Sequence, residues 1–329
     1  MTFQTRLEQA RLRFRLSWLV LVLGAGCLSA CAPTPEPAPA IEPQVSQAPP
    51  ALTAEVSLEP PRVLAPATEP VTVPGGVMAL AVPPDTTAVT YNDRPVFLID
   101  GVALIGVDIK ANVGTHEASV TRTDGTQAKV LFEVQGKDYP EQRITLANPN
   151  LVTPPAETLK RIRAESALMR EAYAHFTELS EAPAPFVQPL TGIRTSPFGR
   201  KRFFNDKPRN PHSGLDLAAP TGTPIHSPAP GTVVLTGHFY FNGISAFVDH
   251  GGGLISMMCH MSEVLVEEGD RVERGDVLGL VGTTGRSTGP HLHWTVKLNR
   301  NAVDPEQVMA LFGSPLVLPP PAPTPPKAG

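Results

Sequence analysis

Near its C-terminal end the chain reads His291-Leu-His-Trp-Thr-Val-Lys-Leu298, a stretch with the alternation of a β-strand. Successive side chains of a strand point to opposite faces, so His291 and His293 share one face with Thr295. The opposite face is apolar and includes Trp294, and we expect it to be buried. Two histidines at this spacing can reach the same small volume above the sheet.

A second polar stretch, His212-Ser-Gly-Leu-Asp216, supplies two more groups that bind metals. In an extended chain the two ends would lie ~13 Å apart, too far for both to reach one ion at ~2.1 Å. The backbone must therefore bend, and Gly214 is placed to permit the bend. A histidine and an aspartate with one later histidine give three N/O ligands, which is typical of a catalytic zinc site with an open fourth position.

A third stretch, Leu254-Ile-Ser-Met-Met-Cys-His-Met261, also alternates like a strand. The alternation predicts that His260 shares a face with Met258 and that Cys259 points the other way. We therefore interpret Cys259 as a buried apolar residue rather than a zinc ligand.

The segments around these motifs predict three folded parts. Residues 186–312 are rich in glycine and show no helical period before 305–312, which predicts an all-β domain. In 85–150, short apolar runs alternate with Asp-Gly turns, and we expect a small β-sandwich-like (immunoglobulin-like) module. Between them, 156–179 lacks glycine and proline and predicts a linking helix within 151–185.

Taken together, these motifs resemble the lysostaphin-type (LytM-like) zinc metallopeptidases, which hydrolyse peptide bonds in peptidoglycan. The resemblance covers about residues 186–312 and implies a LytM-type antiparallel β catalytic domain. The fold class is therefore mainly β. Its motifs include Ser196-Pro-Phe-Gly199, His212-Ser-Gly-Leu-Asp-Leu-Ala-Ala-Pro220, Val248-Asp-His-Gly251 and Gly-Pro-His-Leu-His-Trp at 289–294.

Residue by residue, the resemblance implies one Zn²⁺ per chain, held by His212, Asp216 and His293. It makes His260 and His291 the catalytic histidines, one transferring a proton and the other hydrogen-bonding the developing oxyanion. The substrate would be peptidoglycan stem peptides, and an envelope location favours D,D-endopeptidase action on D-alanyl–diaminopimelate bonds.

One position departs from the family pattern. The family has tyrosine two residues before the mid-chain histidine, where this chain has Met258. A thioether cannot donate a hydrogen bond to an oxyanion. The alternative function is a non-catalytic LytM-like module that binds peptidoglycan or activates an amidase. Such family members have usually lost zinc ligands, whereas all three expected ligands are present here.

The N-terminal residues are typical of an export signal. Four arginines between residues 6 and 15 precede an apolar run over 16–26, which is shorter than the ~20 residues that span a bilayer. Leu-Ser-Ala-Cys31 follows and resembles the lipobox of bacterial lipoproteins. We expect a signal peptide over 1–30 and a lipid anchor on Cys31. Ala32 after the cysteine implies sorting to the outer membrane, with the protein on its inner face in the periplasm.

Proline marks the two ends of the chain. Of 38 prolines, fourteen lie between residues 33 and 84 and seven between 315 and 326. This composition predicts a disordered tether over 31–84, which begins with the lipidated cysteine, and a disordered tail over 313–329.

The net charge of −4 argues against nucleic-acid binding. The expected partners are stem peptides and, through Cys31, the membrane; the sequence identifies no protein partner.

Overall fold

The computed structural model describes residues 70–179 and 183–312. The predicted signal peptide, the lipidation site Cys31, most of the predicted tether and the tail over 313–329 lie outside the described residues. Within the described ranges, no helix combines the length and the apolar character that a membrane span needs.

The first part of the described chain has nine strands, eight of which form two sheets packed as layers. Its nine strands are β1 (Val71–Thr72), β2 (Val77–Ala81), β3 (Thr86–Tyr91), β4 (Arg94–Pro95), β5 (Phe97–Ile99), β6 (Val102–Gly106), β7 (Gly114–Arg122), β8 (Gln127–Val134) and β9 (Glu141–Ile144). One sheet has the order β1-β8-β7-β3-β4 and another the order β2-β6-β5. Buried side chains of both sheets, among them Leu80, Ile105 and Phe132, form one apolar cluster, so the two sheets stabilise each other as a small sandwich.

The predicted tether is wrong at its C-terminal end, because β1 and β2 lie before residue 84. β2 pairs antiparallel with β6 along its whole length. Met78 and Leu80 are buried in the sandwich core, while Ala79, which alternates with them, packs into a second core. A strand buried on both faces shows no alternation of polar and apolar residues. The sequence of β2 therefore did not distinguish it from the proline-rich segment around it.

A short 3₁₀ helix (Pro149–Leu151) and a longer helix, α1 (Ala156–Ala172), follow the sandwich. The predicted helix over 156–179 therefore ends seven residues early. Gly252 donates its backbone N–H to the Thr177 carbonyl at 2.7 Å, and the Thr177 hydroxyl donates to Asp249 Oδ2 at 2.6 Å. These long-range bonds hold the chain after Ala172 against the following domain and override its local helix propensity.

The second part of the chain is a larger, mostly antiparallel sheet. Its elements are β10 (Ile193–Ser196), β11 (Lys201–Phe204), β12 (Lys207–Pro208), β13 (Leu215–Ala218), β14 (Pro224–His226), β15 (Gly231–Phe239), β16 (Gly243–Asp249), β17 (Leu254–Val264), β18 (Arg271–Val272), β19 (Val277–Val281), β20 (His291–Leu298), β21 (Asn301–Val303) and α2 (Pro305–Phe312). The main path runs β10-β13-β20-β17-β16-β15-β18. Leu292, Trp294 and Val296 of β20 are fully buried in its main core. This confirms the predicted fold class and the predicted apolar face of β20.

The two parts of the chain are joined by a strand pairing and by a shared core. β9 pairs in parallel with β11, so the small sheet β12-β11-β9 contains strands from both parts. The main core also takes in Phe97 and Leu104 beside Leu254 and Leu298. The sequence segments 85–150 and 186–312 are therefore parts of one packed unit.

His250, which follows β16, is a buried histidine that the site does not use. Its Nδ1 donates to the Pro230 carbonyl at 2.8 Å, its ring packs edge-on against Phe186, and its Nε2 has no partner in the described part of the chain. Burial lowers the pKa of His250 to about 4. The folded protein therefore keeps this ring neutral in mildly acidic solution.

We expect His250 to make stability depend on pH. The unfolded chain binds a proton near pH 6.5, whereas the folded chain does not until about pH 4. The free energy of unfolding should therefore fall by roughly 3 kcal/mol on this account as pH drops through that window. Urea unfolding at pH 7 and pH 4.5 measures how much the free energy of unfolding changes in the wild type and in His250→Gln. A chelator is added to both proteins so that bound metal does not contribute. An identical pH dependence in the two proteins would contradict the prediction.

Candidate metal centre

The structure brings the three predicted metal ligands into contact. In the pairing of β13 with β20, Asp216 lies directly opposite His293, and His212 lies just before β13. His212 Nε2 is 3.0 Å from Asp216 Oδ1 and 3.0 Å from His293 Nδ1. His293 Nδ1 is 2.7 Å from the same carboxylate oxygen. All three side chains are buried.

Hydrogen bonds on the far side of each imidazole set which nitrogen faces the cluster. His212 donates from Nδ1 to the Pro197 carbonyl at 2.8 Å, which leaves a lone pair on Nε2. His293 Nε2 lies 2.9 Å from the Thr295 hydroxyl, which leaves Nδ1 to face the other two ligand atoms. Partners of this kind orient metal-binding histidines and fix their tautomers.

The protonation states also suit a cation. Burial lowers the pKa of His293 to about 4 and also lowers the pKa of His212. Burial by itself raises the pKa of Asp216, but its close contacts with His212 and His293 hold it well below its ordinary value. Two neutral imidazoles and one carboxylate thus converge at distances that one ion at ~2.1 Å from each can satisfy. This donor set fits Zn²⁺ with a position left open.

Gly214 lies at the predicted bend, and the structure adds a second reason for glycine at this position. The backbone does bend at Gly214, as predicted, but its φ is not among the positive values of the described residues, so the bend does not by itself require glycine. A Cβ at this position would overlap the carbonyl of Trp294 and lie 2.8 Å from Cε1 of His293. Glycine is therefore needed because the His212 loop passes directly over β20.

Sequence reasoning missed the residues that hold Asp216 from behind. Arg202 of β11 donates from Nη2 to Asp216 Oδ2 at 2.8 Å, and both side chains are largely buried. Gln142 of β9 accepts through Oε1 from Arg202 Nε at 3.2 Å and from the Ser196 hydroxyl at 3.1 Å. No local pattern marks these residues, because the parallel pairing of β9 with β11 brings them together.

His260 lies at a bulge in β17. Met258 pairs with Ala246 and Met261 with Ile244, so β17 has one residue more than β16 in this interval. His260 has a φ of +62°, and its backbone N–H donates to the Asn242 carbonyl at 2.9 Å. The extra residue turns the imidazole toward the ligands, and its ring centre lies 6.1 Å from that of His293.

The same bulge overturns the prediction for Met258. Strand alternation placed Met258 beside His260, but Met258 is fully buried in the main core. Met257 instead lines the cavity beside His260, where its sulfur accepts from the Tyr173 hydroxyl at 3.1 Å. The bulge interrupts the regular alternation of side chains along β17. The side of the sheet that Met258 faces therefore does not predict the side that His260 faces.

Cys259 is buried, as predicted, although the argument from alternation does not account for its position. It packs with Phe247 and Met257 in the cluster beneath α1, and burial raises its pKa to about 12. The group of side chains that could hold a metal contains His212, Asp216 and His293 and not this thiol.

His291 stands next to His260 at the edge of the cluster. Their ring centres are 4.8 Å apart. His291 Nδ1 donates to the Gly289 carbonyl at 2.8 Å, and His260 Nδ1 donates to the Thr284 carbonyl at 2.8 Å. Each ring therefore keeps Nε2 available. One cavity of about 660 Å³ is lined by both histidines and by the ligands Asp216 and His293. It is large enough for a peptide segment.

Comparisons with known proteins agree with this geometry. Residues 210–305 match the model of Peptidase family M23. A crystal structure from Pseudomonas aeruginosa, assigned to peptidase M23, is 37% identical and aligns over 73% of this chain and 96% of that chain, with a TM-score of 0.61.

Two curated proteins also match the C-terminal part. DD-carboxypeptidase/endopeptidase Mpg of Neisseria meningitidis is 37% identical over 123 residues, which are 37% of this chain and 28% of that protein. Peptidoglycan DD-endopeptidase ShyA of Vibrio cholerae is 43% identical over 84 residues, which are 26% of this chain and 20% of that protein. The chain therefore matches less than a third of the length of either curated relative.

We expect Arg202 to position Asp216 for metal binding. Arg202→Gln removes the partner of Asp216 Oδ2 and should lower zinc affinity by about 10–100-fold, whereas Asp216→Ala should lose most of the zinc. Competition with a chromophoric chelator measures both affinities. Arg143→Gln is the matched control, because exposed Arg143 pairs with Glu141 and Asp206 and touches no ligand. Equal zinc affinity of the two glutamine variants would contradict the role of Arg202.

We expect Met258→Tyr to destabilise the protein and not to supply a cavity hydroxyl. A larger side chain in a filled core costs about 1–3 kcal/mol, and an unpaired buried hydroxyl adds about 1–3 kcal/mol. Met258→Leu conserves the volume and should cost less than ~1.5 kcal/mol. Urea unfolding compares the three proteins. A tyrosine variant as stable as the wild type would show that side chain 258 can reach the cavity.

Proposed function

The chain belongs to peptidase family M23, and we propose that it is a zinc-dependent endopeptidase that hydrolyses the peptide cross-links of peptidoglycan. The observation that carries this proposal is the convergence of His212, Asp216 and His293 beside two histidines with available Nε2 atoms. The names of the curated relatives add the substrate class. Within that class we propose D,D-endopeptidase action on D-alanyl–diaminopimelate bonds.

The three ligands would hold Zn²⁺, which when bound polarises a carbonyl and activates water. The two remaining histidines supply the proton chemistry. His260 is neutral, because burial lowers its pKa to about 3, and its only N–H is donated to Thr284. Its Nε2 can therefore accept a hydrogen bond from the attacking water but cannot donate one to an oxyanion, so the oxyanion role that the resemblance implies for one of the two histidines does not suit His260.

His291 is the better candidate for proton transfer. It is only partly buried, so its ring can exchange protons with water in the cavity. Its bond to the Gly289 carbonyl holds the ring so that Nε2 can take a proton and return it to the leaving amine. We assign this role to His291 and the orientation of the water to His260.

The location of the enzyme follows from the same proposal. The arginine-rich start, the apolar run and Leu-Ser-Ala-Cys31 support export and lipidation of Cys31. We propose a lipid anchor in the inner face of the outer membrane, from which the peptidase acts on periplasmic peptidoglycan.

The test of function combines digestion with metal analysis. The zinc-loaded full chain should release D-alanyl–diaminopimelate cleavage products from purified peptidoglycan, as read by mass spectrometry. His291→Ala should lower the rate by about 10²–10⁴-fold and keep its zinc, whereas His293→Ala should lose both.

Two results would contradict these assignments. Equal zinc loss in His291→Ala and His293→Ala would show that the roles along β20 are wrong. A wild type that holds one zinc and leaves cross-links intact would favour the non-catalytic binding or amidase-activating alternative.

A further inference from the structure

The cavity beside the metal centre is much more positive than the chain as a whole. The chain carries a net charge of −4, yet the charged groups of the cavity wall are Arg202, Arg209 and Arg286 against a single carboxylate, Asp216. Arg202 is paired with that carboxylate at 2.8 Å. Two guanidinium groups on the same wall are thus left without a carboxylate partner among the described residues.

Arg286 is held in place by aromatic rings rather than by an anion. Its guanidinium carbon lies 4.4 Å from the ring centre of Phe241 and 4.6 Å from that of Phe204. Its backbone N–H donates to the Phe241 carbonyl at 2.8 Å. Within the part of the chain that the structure describes, its side chain makes one hydrogen bond, a long one of 3.5 Å from Nη1 to the Leu151 carbonyl. Most of its donors therefore remain available to a ligand.

Arg209 is fixed in a similar way by neutral groups. Its Nη1 donates to the Pro208 carbonyl at 2.8 Å, and its Nη2 donates to the Val152 carbonyl at 2.7 Å. These bonds orient the guanidinium and leave its charge uncompensated. Arg209 and Arg286 line the same cavity. Burial, and then the charges of Arg202 and Arg209, lower the pKa of Arg286 to about 10. Arg286 still carries its charge at neutral pH.

Arg209 and Arg286 are partly buried, and a partly buried cation without a counter-ion is stabilised when a ligand supplies the opposite charge. The planar fork of a guanidinium matches a carboxylate through two parallel hydrogen bonds. A peptide carboxylate in this cavity would also be near the histidines that act on the scissile bond, because Arg286 and His291 line the same space.

We propose that Arg286, assisted by Arg209, binds a free carboxylate of the peptide substrate and so selects stem peptides that carry one. The identity of the peptide rests on the proposed function. A stem peptide offers carboxylates on its glutamate residue, on diaminopimelate and at its C-terminus. The diaminopimelate carboxylate is the expected one, because this residue supplies the amine of the proposed scissile bond.

Binding of a soluble peptide tests the subsite without requiring cleavage. The probe is the tetrapeptide L-alanyl-γ-D-glutamyl-diaminopimelyl-D-alanine, with all carboxylates free or with one amidated at a time. Calorimetry with the zinc-loaded full chain should show about 10–100-fold weaker binding when the diaminopimelate carboxyl is amidated. If binding weakens instead when one of the other carboxyls is amidated, the subsite is retained and that carboxylate is its ligand.

Variants connect that preference to Arg286. Arg286→Gln should bind the free tetrapeptide about 10–100-fold more weakly and no longer distinguish it from the amidated form. Arg286→Lys should bind the free tetrapeptide with an affinity between those of the wild type and Arg286→Gln, because an ammonium keeps the charge but lacks the planar fork. Arg163→Gln, which removes an equal charge from an exposed position of α1, should bind as the wild type does. A merely structural role of Arg286 would weaken both peptides equally.

The proposal is overturned if the wild type does not bind the free tetrapeptide, if amidation at no position weakens binding, or if Arg286→Gln keeps the preference. The amidation series on the wild type gives this answer even if a variant fails to fold. Digestion of peptidoglycan by the same wild-type sample tests the proposed function separately. If the protein prefers the free carboxylate but cleaves no peptidoglycan, the carboxylate subsite is supported and the proposed endopeptidase function is wrong.

Discussion

The rest of the site depends on the register between β13 and β20. That register sets Asp216 opposite His293, while Leu217 and Leu292, also paired across the two strands, point into the main core. A one-residue slip of β13 along β20 would turn Asp216 into the core and expose Leu217 to the cavity, because β20 is held in place by its pairing with β17. The burial of apolar surface that stabilises the sheet therefore also fixes two of the three candidate metal ligands.

The strand that follows the sandwich, β9, contributes to the site as well as to stability. β9 pairs with β11, which places Gln142 behind Arg202 and Arg202 behind Asp216. Residues of the same region, such as Ile144, form part of the cavity wall. The orientation of the carboxylate thus depends on a strand from outside the segment that resembles the peptidase domain, which couples the two parts of the chain.

His260 illustrates how the fold holds a strained residue in position. A non-glycine residue at positive φ costs about 1–3 kcal/mol, and His260 adopts a φ of +62°. Hydrogen bonds to Asn242 and Thr284 offset this cost on both the backbone and the ring. The strain has a function here, since the bulge turns the imidazole to the face of the sheet that carries His293.

The sequence by itself determined the β architecture and the buried face of β20, because alternation is a local property. Its motifs indicated the candidate ligands through their resemblance to a known family. Only the tertiary structure decided that Met257 rather than Met258 lines the cavity, that Val71–Thr72 and Val77–Ala81 are strands, and that α1 ends at Ala172. The gathering of Arg202 and Arg286 around the site was equally invisible in the sequence. Each of these features depends on a bulge, a strand pairing or a hydrogen bond between distant segments, and such non-local contacts leave no periodic pattern in the chain.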